Sequence, residues 1–159
     1  MWQRPSLTYP KIPVFELLKD TARRLPQKPA VIDPYGGRIL TYADLDRESD
    51  VLAGVFAQWG VKKGDRISFF LSNGWEYFVG FYGALKTGAI VSPINPTYRD
   101  RKIQHQVSDS ESKILLVENK LLPQVLGILS GLPTVEKIIL TRGETKRNGR
   151  FFSLPFLLE

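Results

Sequence analysis

"GVKKGDRISFFLSN", residues 60–73, sets two glycines and three basic residues directly before an apolar run. It reads either as a loop that cradles a phosphate or as the end of a helix and the start of a strand. A Walker-type loop needs a strand before it, four residues between its glycines, and Lys then Ser or Thr after the second. Here a helical pattern precedes Gly60, three residues separate it from Gly64, and Asp65 and Arg66 follow. Gly60 is therefore expected to close a helix in the left-handed conformation. Lys62, Lys63 and Gly64 then turn the chain into a strand that begins at Ile67.

The same grammar extends in both directions. Upstream, Thr41 followed by Asp44 is a capping-box pattern. It opens a helix whose apolar stripe is Leu45, Leu52, Phe56 and Trp59. Before it, "AVID" and "RILTY" flank Pro34, Tyr35, Gly36 and Gly37, which predicts a hairpin. Residues 14–25 repeat apolar side chains at helical spacing, with Pro13 suited to the first turn and Pro26 closing the helix. Downstream, short apolar runs at 67–71, 89–91, 114–117 and 137–140 alternate with helical segments at 74–86, 98–107 and 121–129. Runs that are continuously apolar suit strands covered on both faces. Strand–helix–strand repetition implies right-handed crossovers. The expected fold is α/β, a doubly wound, mostly parallel sheet with flanking helices and a short N-terminal hairpin. The polar segment 142–150 reads as a mobile loop, and "FFSLPFLLE" as an apolar tail that stops without a cap, as if cut from something larger.

Composition narrows the chemistry. The chain has 159 residues, 43% hydrophobic and 24% charged, which fits one ordinary globular domain. It has no cysteine and one histidine, so disulfides, thiolate metal sites and histidine metal clusters are excluded. No D-x-D-type loop suggests a carboxylate metal site, and no metal ligands are assigned. The net charge of +6 comes mostly from the later part, chiefly "RDRK" at 99–102 and "TRGETKRNGR" at 141–150. No aromatic–basic or helix-turn-helix signature accompanies it, so nucleic acid is not an expected partner. The first residues lack the apolar core of a signal peptide. The greasiest window, 77–85, is far shorter than the ~20 residues of a membrane span. The reading is a cytoplasmic protein without a transmembrane segment, for which peripheral membrane contact stays open.

Several stretches could carry chemistry. "GFYGALKTG", 80–88, is not a dinucleotide loop, because its glycines lie within or after a helix. The segment 75–85 is apolar nearly all round, so Gly80 and Gly83 serve close packing; an aromatic acyl pocket is the alternative. His105 falls on the face opposite Ile103 and Val107, and reads as a surface residue. In a doubly wound sheet ligands sit outside the carboxyl ends of the strands. Those ends are Ser72 and Asn73, 93–97, 118–120, and Thr141 and Arg142. Asn73 with Glu76, and Thr97 with Asp100, also read as helix N-caps. No paired carboxylates or activated nucleophile converge there, so no catalytic residue is assigned.

Three longer pieces together resemble the acyl-adenylate-forming enzymes, which include acyl-CoA synthetases, luciferases and peptide-synthetase adenylation domains. They are "LTYADLDRESDVLAGVFAQWGVKKGDRISFFLSN", "GALKTGAIVSPINPTY" and "VSDSESKILLV". The family often has Glu-Leu where this sequence has Lys102 and Ile103. The resemblance runs from about Val14 to Leu140 and is most like medium- or long-chain fatty-acyl-CoA ligases.

The resemblance implies the following. Residues 1–159 form the N-terminal part of a large N-terminal domain, truncated before the phosphate-binding loop. The parent enzyme uses ATP, Mg²⁺ and CoA: a fatty acid and ATP give an acyl-adenylate and pyrophosphate, and CoA then displaces AMP. The loop ending in Pro-Lys-Gly, the ribose-binding aspartate and the catalytic lysine all fall outside these residues. This chain alone is therefore expected to be inactive and to hold no cofactor tightly. Asn95, Pro96 and Thr97 are expected to border the CoA-facing side. Apolar surface left by such a cut would favour a homo-oligomer. The alternatives are a fragment of an aryl- or amino-acid-activating enzyme, and a non-catalytic module that binds a lipid or a partner.

Overall fold

The computed structural model describes residues 11–141 and 149–159. The first helix, α1 (Val14–Arg24), has Pro13 at its N-cap position, one step before the first turn expected for it. Strands β1 (Pro29–Asp33) and β2 (Arg38–Thr41) pair antiparallel as a separate two-stranded sheet. The Asp33 carboxylate folds their turn by accepting from the N–H groups of Tyr35 (3.0 Å) and Gly36 (2.7 Å).

Helix α2 (Tyr42–Gln58) opens on the expected capping box. Thr41 Oγ1 accepts from the Asp44 N–H at 3.1 Å, and Asp44 Oδ2 accepts from the Thr41 N–H at 3.1 Å. At its far end the helix closes on Gly60. Gly60 has φ +78°, Val61 N–H returns to Phe56 O, and Gly60 N–H returns to Ala57 O, both at 3.0 Å. That is the Schellman arrangement. Lys62 N–H is spent on Asp65 Oδ2 (2.8 Å) and Gly64 N–H on Gly88 O (2.9 Å), so these donors are not presented to an anion. The stretch also lies at the amino end of its strand, away from where ligands bind such sheets.

Beyond it run β3 (Arg66–Phe70), α3 (Trp75–Lys86), β4 (Ile90–Pro93), α4 (Asp100–Asp109), β5 (Ile114–Val117), α5 (Leu122–Ile128) and β6 (Lys137–Leu140). Each falls within one or two residues of its expected place. The tail, read only as apolar, forms strand β7 (Phe151–Ser153) and the short helix α6 (Leu154–Leu157). Phe152 packs at a tilt of 47° on Trp59, 4.5 Å between ring centroids, and Leu154 is fully buried. Of the loop expected at 142–150, residues 142–148 lie outside the described ones. Arg150 donates from Nη2 to the carbonyls of Leu132 and Val135.

The five-stranded sheet is wholly parallel, in the order β4-β3-β5-β6-β7. The chain starts inside the sheet at β3, steps out to β4, then crosses back to β5 and continues outward. The winding therefore reverses between β3 and β5. Successive residues feed opposite faces. Ile67, Phe69, Ile114, Leu116 and Ile139 join the cluster under α2, α3 and the hairpin; Phe70, Leu115, Val117, Ile138 and Leu140 join the cluster under α4 and α5. Gly80 lets α3 lie directly on the sheet, since a Cβ there would sit 2.7 Å from Leu116 Cδ2. Lys86 ties α3 to α2, reaching Asp46 at 2.6 Å and Asp50 at 2.8 Å from a nearly buried position.

Candidate functional site

Reversal of the winding leaves the helices after β3 and β5 on opposite faces of the sheet, and a crevice opens between their first residues. Two carboxyl ends form its lips. Ser72 and Asn73 follow β3, and Glu118 and Lys120 follow β5. Glu118 extends the β5 ladder through its N–H to Phe70 O at 3.0 Å. Its side chain, almost buried, then crosses the switch point: Oε2 accepts from the Ser72 N–H at 3.0 Å and Oε1 pairs with Lys120 Nζ at 2.7 Å. Lys120 Nζ also lies 3.4 Å from Ser72 Oγ. Burial pushes the Glu118 carboxyl up, but the hydrogen bonds from Lys120 and Ser72 outweigh it and hold it below the usual range. The crevice so framed encloses about 450 Å³, with Thr141 behind it and Tyr35, at the hairpin tip, over it.

A second groove of about 510 Å³ lies on the other side of Ser72 and Asn73, walled by Tyr77 and by Ile94, Asn95 and Pro96. Two of the expected CoA-side residues, Asn95 and Pro96, thus share a boundary with the switch point. Thr97 does not line that groove. Its N–H and Oγ1 both donate to Asn95 Oδ1, at 2.9 and 2.8 Å. This local turn carries the chain away into a separate depression of about 460 Å³ with Tyr98, Arg99, Arg101 and Lys102. Arg99 is anchored there by the carbonyls of Thr97 and Tyr98 and by Gln124 Oε1.

Both expected caps differ from what is found. The N-cap of α4 is Arg99, without a side-chain bond, because Thr97 is committed to Asn95. The N-cap of α3 is Gly74, not Asn73, and the nearest side-chain acceptor comes from the hairpin: Asp33 Oδ2, 3.5 Å from Trp75 N. His105 is exposed on α4, as its spacing required. The reach of Glu118 across the switch point and the approach of Tyr35 were not read from the sequence. A carboxylate closing an all-apolar strand is a signal for the first; nothing local marks the second.

Among the described residues no three His, Cys, Asp or Glu side chains group to hold a metal ion. Nor does the Gly60 turn offer a nest of N–H groups. No chemistry is routed here through Mg²⁺ or the triphosphate of ATP. The crevice and groove, by contrast, have the size and mixed lining of a small-ligand site.

A doubly wound parallel sheet that opens polar grooves at its switch point defines a ligand-binding α/β protein. The chain belongs to the AMP-binding enzyme family, whose model matches residues 18–153. It is 33% identical over 129 residues to the long-chain-fatty-acid–CoA ligase of Salmonella typhimurium, an alignment covering 80% of this chain and 22% of that protein. It is 33% identical over 112 residues to tyrocidine synthase 3 of Brevibacillus parabrevis, covering 70% of this chain and 2% of that one. Among solved structures, Mycobacterium tuberculosis fatty acyl CoA synthetase superposes with a TM-score of 0.76 at 28% identity, over 80% of this chain and 26% of its own. The chain thus spans about a fifth of the fatty-acid ligase it matches. The α/β fold, the parallel sheet and the hairpin all stand as expected. Among the described residues no helix is long and apolar enough to cross a membrane.

Proposed function

We propose that these residues are the N-terminal part of an ATP-dependent fatty acid–CoA ligase and are not catalytic alone. The parent reaction converts a carboxylate and ATP to an acyl-adenylate and pyrophosphate, after which CoA takes the acyl group and AMP leaves. The observation that carries this reading is the match to a fatty-acid–CoA ligase over four-fifths of the chain but only a fifth of the enzyme. Asn95, Pro96 and Thr97 border the CoA-facing side. In support, they follow the carboxyl end of β4 and lead directly into Arg99, Arg101 and Lys102, where exposed cations attract an anionic nucleotide. ATP and Mg²⁺ belong to the rest of the enzyme.

Similarity to a tyrocidine synthase favours a second reading, in which the parent activates an amino or aryl acid. Both readings require a phosphate cradle and a cation placed on the developing charge, and the described residues offer neither. The test is carboxylate-dependent exchange of labelled pyrophosphate into ATP by this chain, with medium- and long-chain fatty acids. Exchange at background is expected. Exchange above background, in a preparation free of longer enzyme, would overturn the non-catalytic reading.

A further inference from the structure

The cap expected of Asn73 falls instead to Gly74, which leaves the Asn73 side chain without that structural duty. The main chain around it is held on both sides. Ser72 N–H donates to Glu118 Oε2 at 3.0 Å, Gly74 O accepts from Tyr77 N–H at 3.2 Å, and Trp75 N lies 3.5 Å from Asp33 Oδ2. Between these anchors, among the described residues, neither the Asn73 amide nor the Gly74 N–H has a hydrogen-bond partner. Asn73 is exposed, on the wall of Leu71, Ser72 and Asn73 that the crevice shares with the Asn95 groove. Gly74 precedes α3, so its nitrogen stands outside the helical ladder. Lacking a Cβ, it lets the backbone approach a neighbouring group closely. The other asparagines lack part of this setting. Asn95 precedes Pro96, which has no N–H, and its Oδ1 is taken by Thr97. Asn119 lies in the 3₁₀ turn Asn119–Leu121 and precedes a lysine. Asn148 also precedes a glycine but lies outside the described residues.

We infer that Asn73 is a site of spontaneous modification, at which ring closure onto Gly74 turns a neutral amide on the switch-point wall into a carboxylate. The Gly74 nitrogen gives up its proton and bonds to Asn73 Cγ. The bond from Cγ to the side-chain nitrogen breaks, and that nitrogen leaves with the proton as ammonia. Water then opens the resulting five-membered cyclic imide at either carbonyl. One opening gives aspartate; the other gives isoaspartate, in which the main chain runs through the former side chain. One water is consumed and one ammonia released, with no oxidant or enzyme required. The nucleophile and the carbon it attacks belong to adjacent residues, and that proximity speeds an otherwise slow amide reaction. No hydrogen bond among the described residues has to break before the ring closes. Either product places a carboxylate between grooves of about 450 and 510 Å³. Isoaspartate also adds a methylene to the main chain between the Ser72 N–H, held by Glu118, and the Gly74 carbonyl, held by Tyr77. The start of α3 shifts accordingly. None of this depends on which acid the parent enzyme activates.

The experiment is a timed incubation of the 159-residue chain at physiological pH and temperature, in water enriched in heavy oxygen, followed by peptide mass mapping. The peptide holding Asn73 is expected to exchange NH₂ for OH, to take up heavy oxygen, and to split into two chromatographic species of equal mass. Enzymatic methylation of isoaspartyl carboxyls is expected to mark one of the two. Peptides holding Asn95 and Asn119 are expected to convert at least about tenfold more slowly. An unchanged Asn73 in the folded chain, where the urea-unfolded chain converts, would overturn the proposal by showing that the fold blocks the ring. Gly74→Ala is expected to slow conversion roughly tenfold, because a methyl group then crowds the attacking nitrogen. Gly74 is extended, with φ −179°, which alanine also adopts, so the fold is expected to persist and the amide spectrum checks it. Conversion of that variant at the parent rate, with a native spectrum, would mean direct hydrolysis and overturn the ring step. Asn73→Gln, whose ring would be six-membered, is expected to stay unmodified over the same period. Conversion of the glutamine at the parent rate would overturn the ring step equally, whether or not the alanine variant folds.

Discussion

Two glycines in neighbouring helices separate packing from propensity. A methyl group on Gly80 would meet Leu116 and Phe69 on the sheet, whereas one on Gly54, exposed on α2, would meet nothing within 4 Å. Gly80→Ala is expected to cost about 1–3 kcal/mol by overpacking. Gly54→Ala is expected to stabilise by about 0.4–1 kcal/mol, because it restricts the unfolded chain. Urea titrations of the two variants check this, and equal effects would refute it. Glu48 gives the pH counterpart. Burial pushes its carboxyl up, and Oε1 pairs with Arg38 at 2.6 Å while Oε2 has no hydrogen-bond partner. The folded state then binds this proton more tightly than the unfolded chain, so Glu48 costs stability above its folded pKa and the cost is relieved as pH falls. Asp44, held low first by the Thr41 hydroxyl, and Glu118 run the other way. Their contribution is present above the unfolded carboxylate values and is lost as pH falls through the folded ones. Glu48→Gln is therefore expected to melt at least as high as the parent at pH 7, with the advantage shrinking towards pH 4. A fall of several degrees at pH 7 would show the ion pair to be net stabilising.

At the scale of elements, local chemistry was legible and long-range convergence was not. The capping box at Thr41 needs only residues three apart, and the Schellman ending at Gly60 only a positive φ. Thr41→Ala is expected to cost about 1 kcal/mol through loss of the cap. Thermal unfolding measures it, and no change would mean that Asp44 alone secures the helix start. Strand β7 escaped because three residues, Phe151 to Ser153, carry too short a pattern; they become a strand only by pairing beside β6. The cap of α3 escaped for a related reason, since Asp33 reaches it from 42 residues away. The same distance in sequence hid the site. The carboxyl ends of the strands could be named, but that Glu118 bridges to Ser72, and that Thr97 turns aside onto Asn95, depends on the register of β3 against β5 and on one Asx turn.

For the molecule as a whole, the surface carries apolar side chains that the fold does not cover. Ile32 and Ile39 oppose each other on the outer face of the hairpin, 66% and 61% exposed, and Phe78 and Phe156 are each more than 40% exposed. Among the described residues β4 and β7 each pair on one side only, and an unpaired edge templates further strand addition. The chain is expected to self-associate, as sedimentation over a range of concentrations would report. A single monomeric species at high concentration would refute it.

The strand order has a further consequence, for synthesis. Ile67 of β3 pairs with Val91 of β4 and Ile114 of β5, so the sheet's second neighbour lies 47 residues further along the chain. A ribosome adding ~5–20 residues per second delivers that partner roughly 2–9 s after β3 itself. During that interval Ile67, Phe69 and Phe70, all fully buried in the finished protein, can be sheltered on one flank at most. This strand, with the Gly60 turn ahead of it and Leu71 behind, is where a nascent-chain chaperone would find its binding segment, and where a translational pause placed before residue 114 would do the most harm.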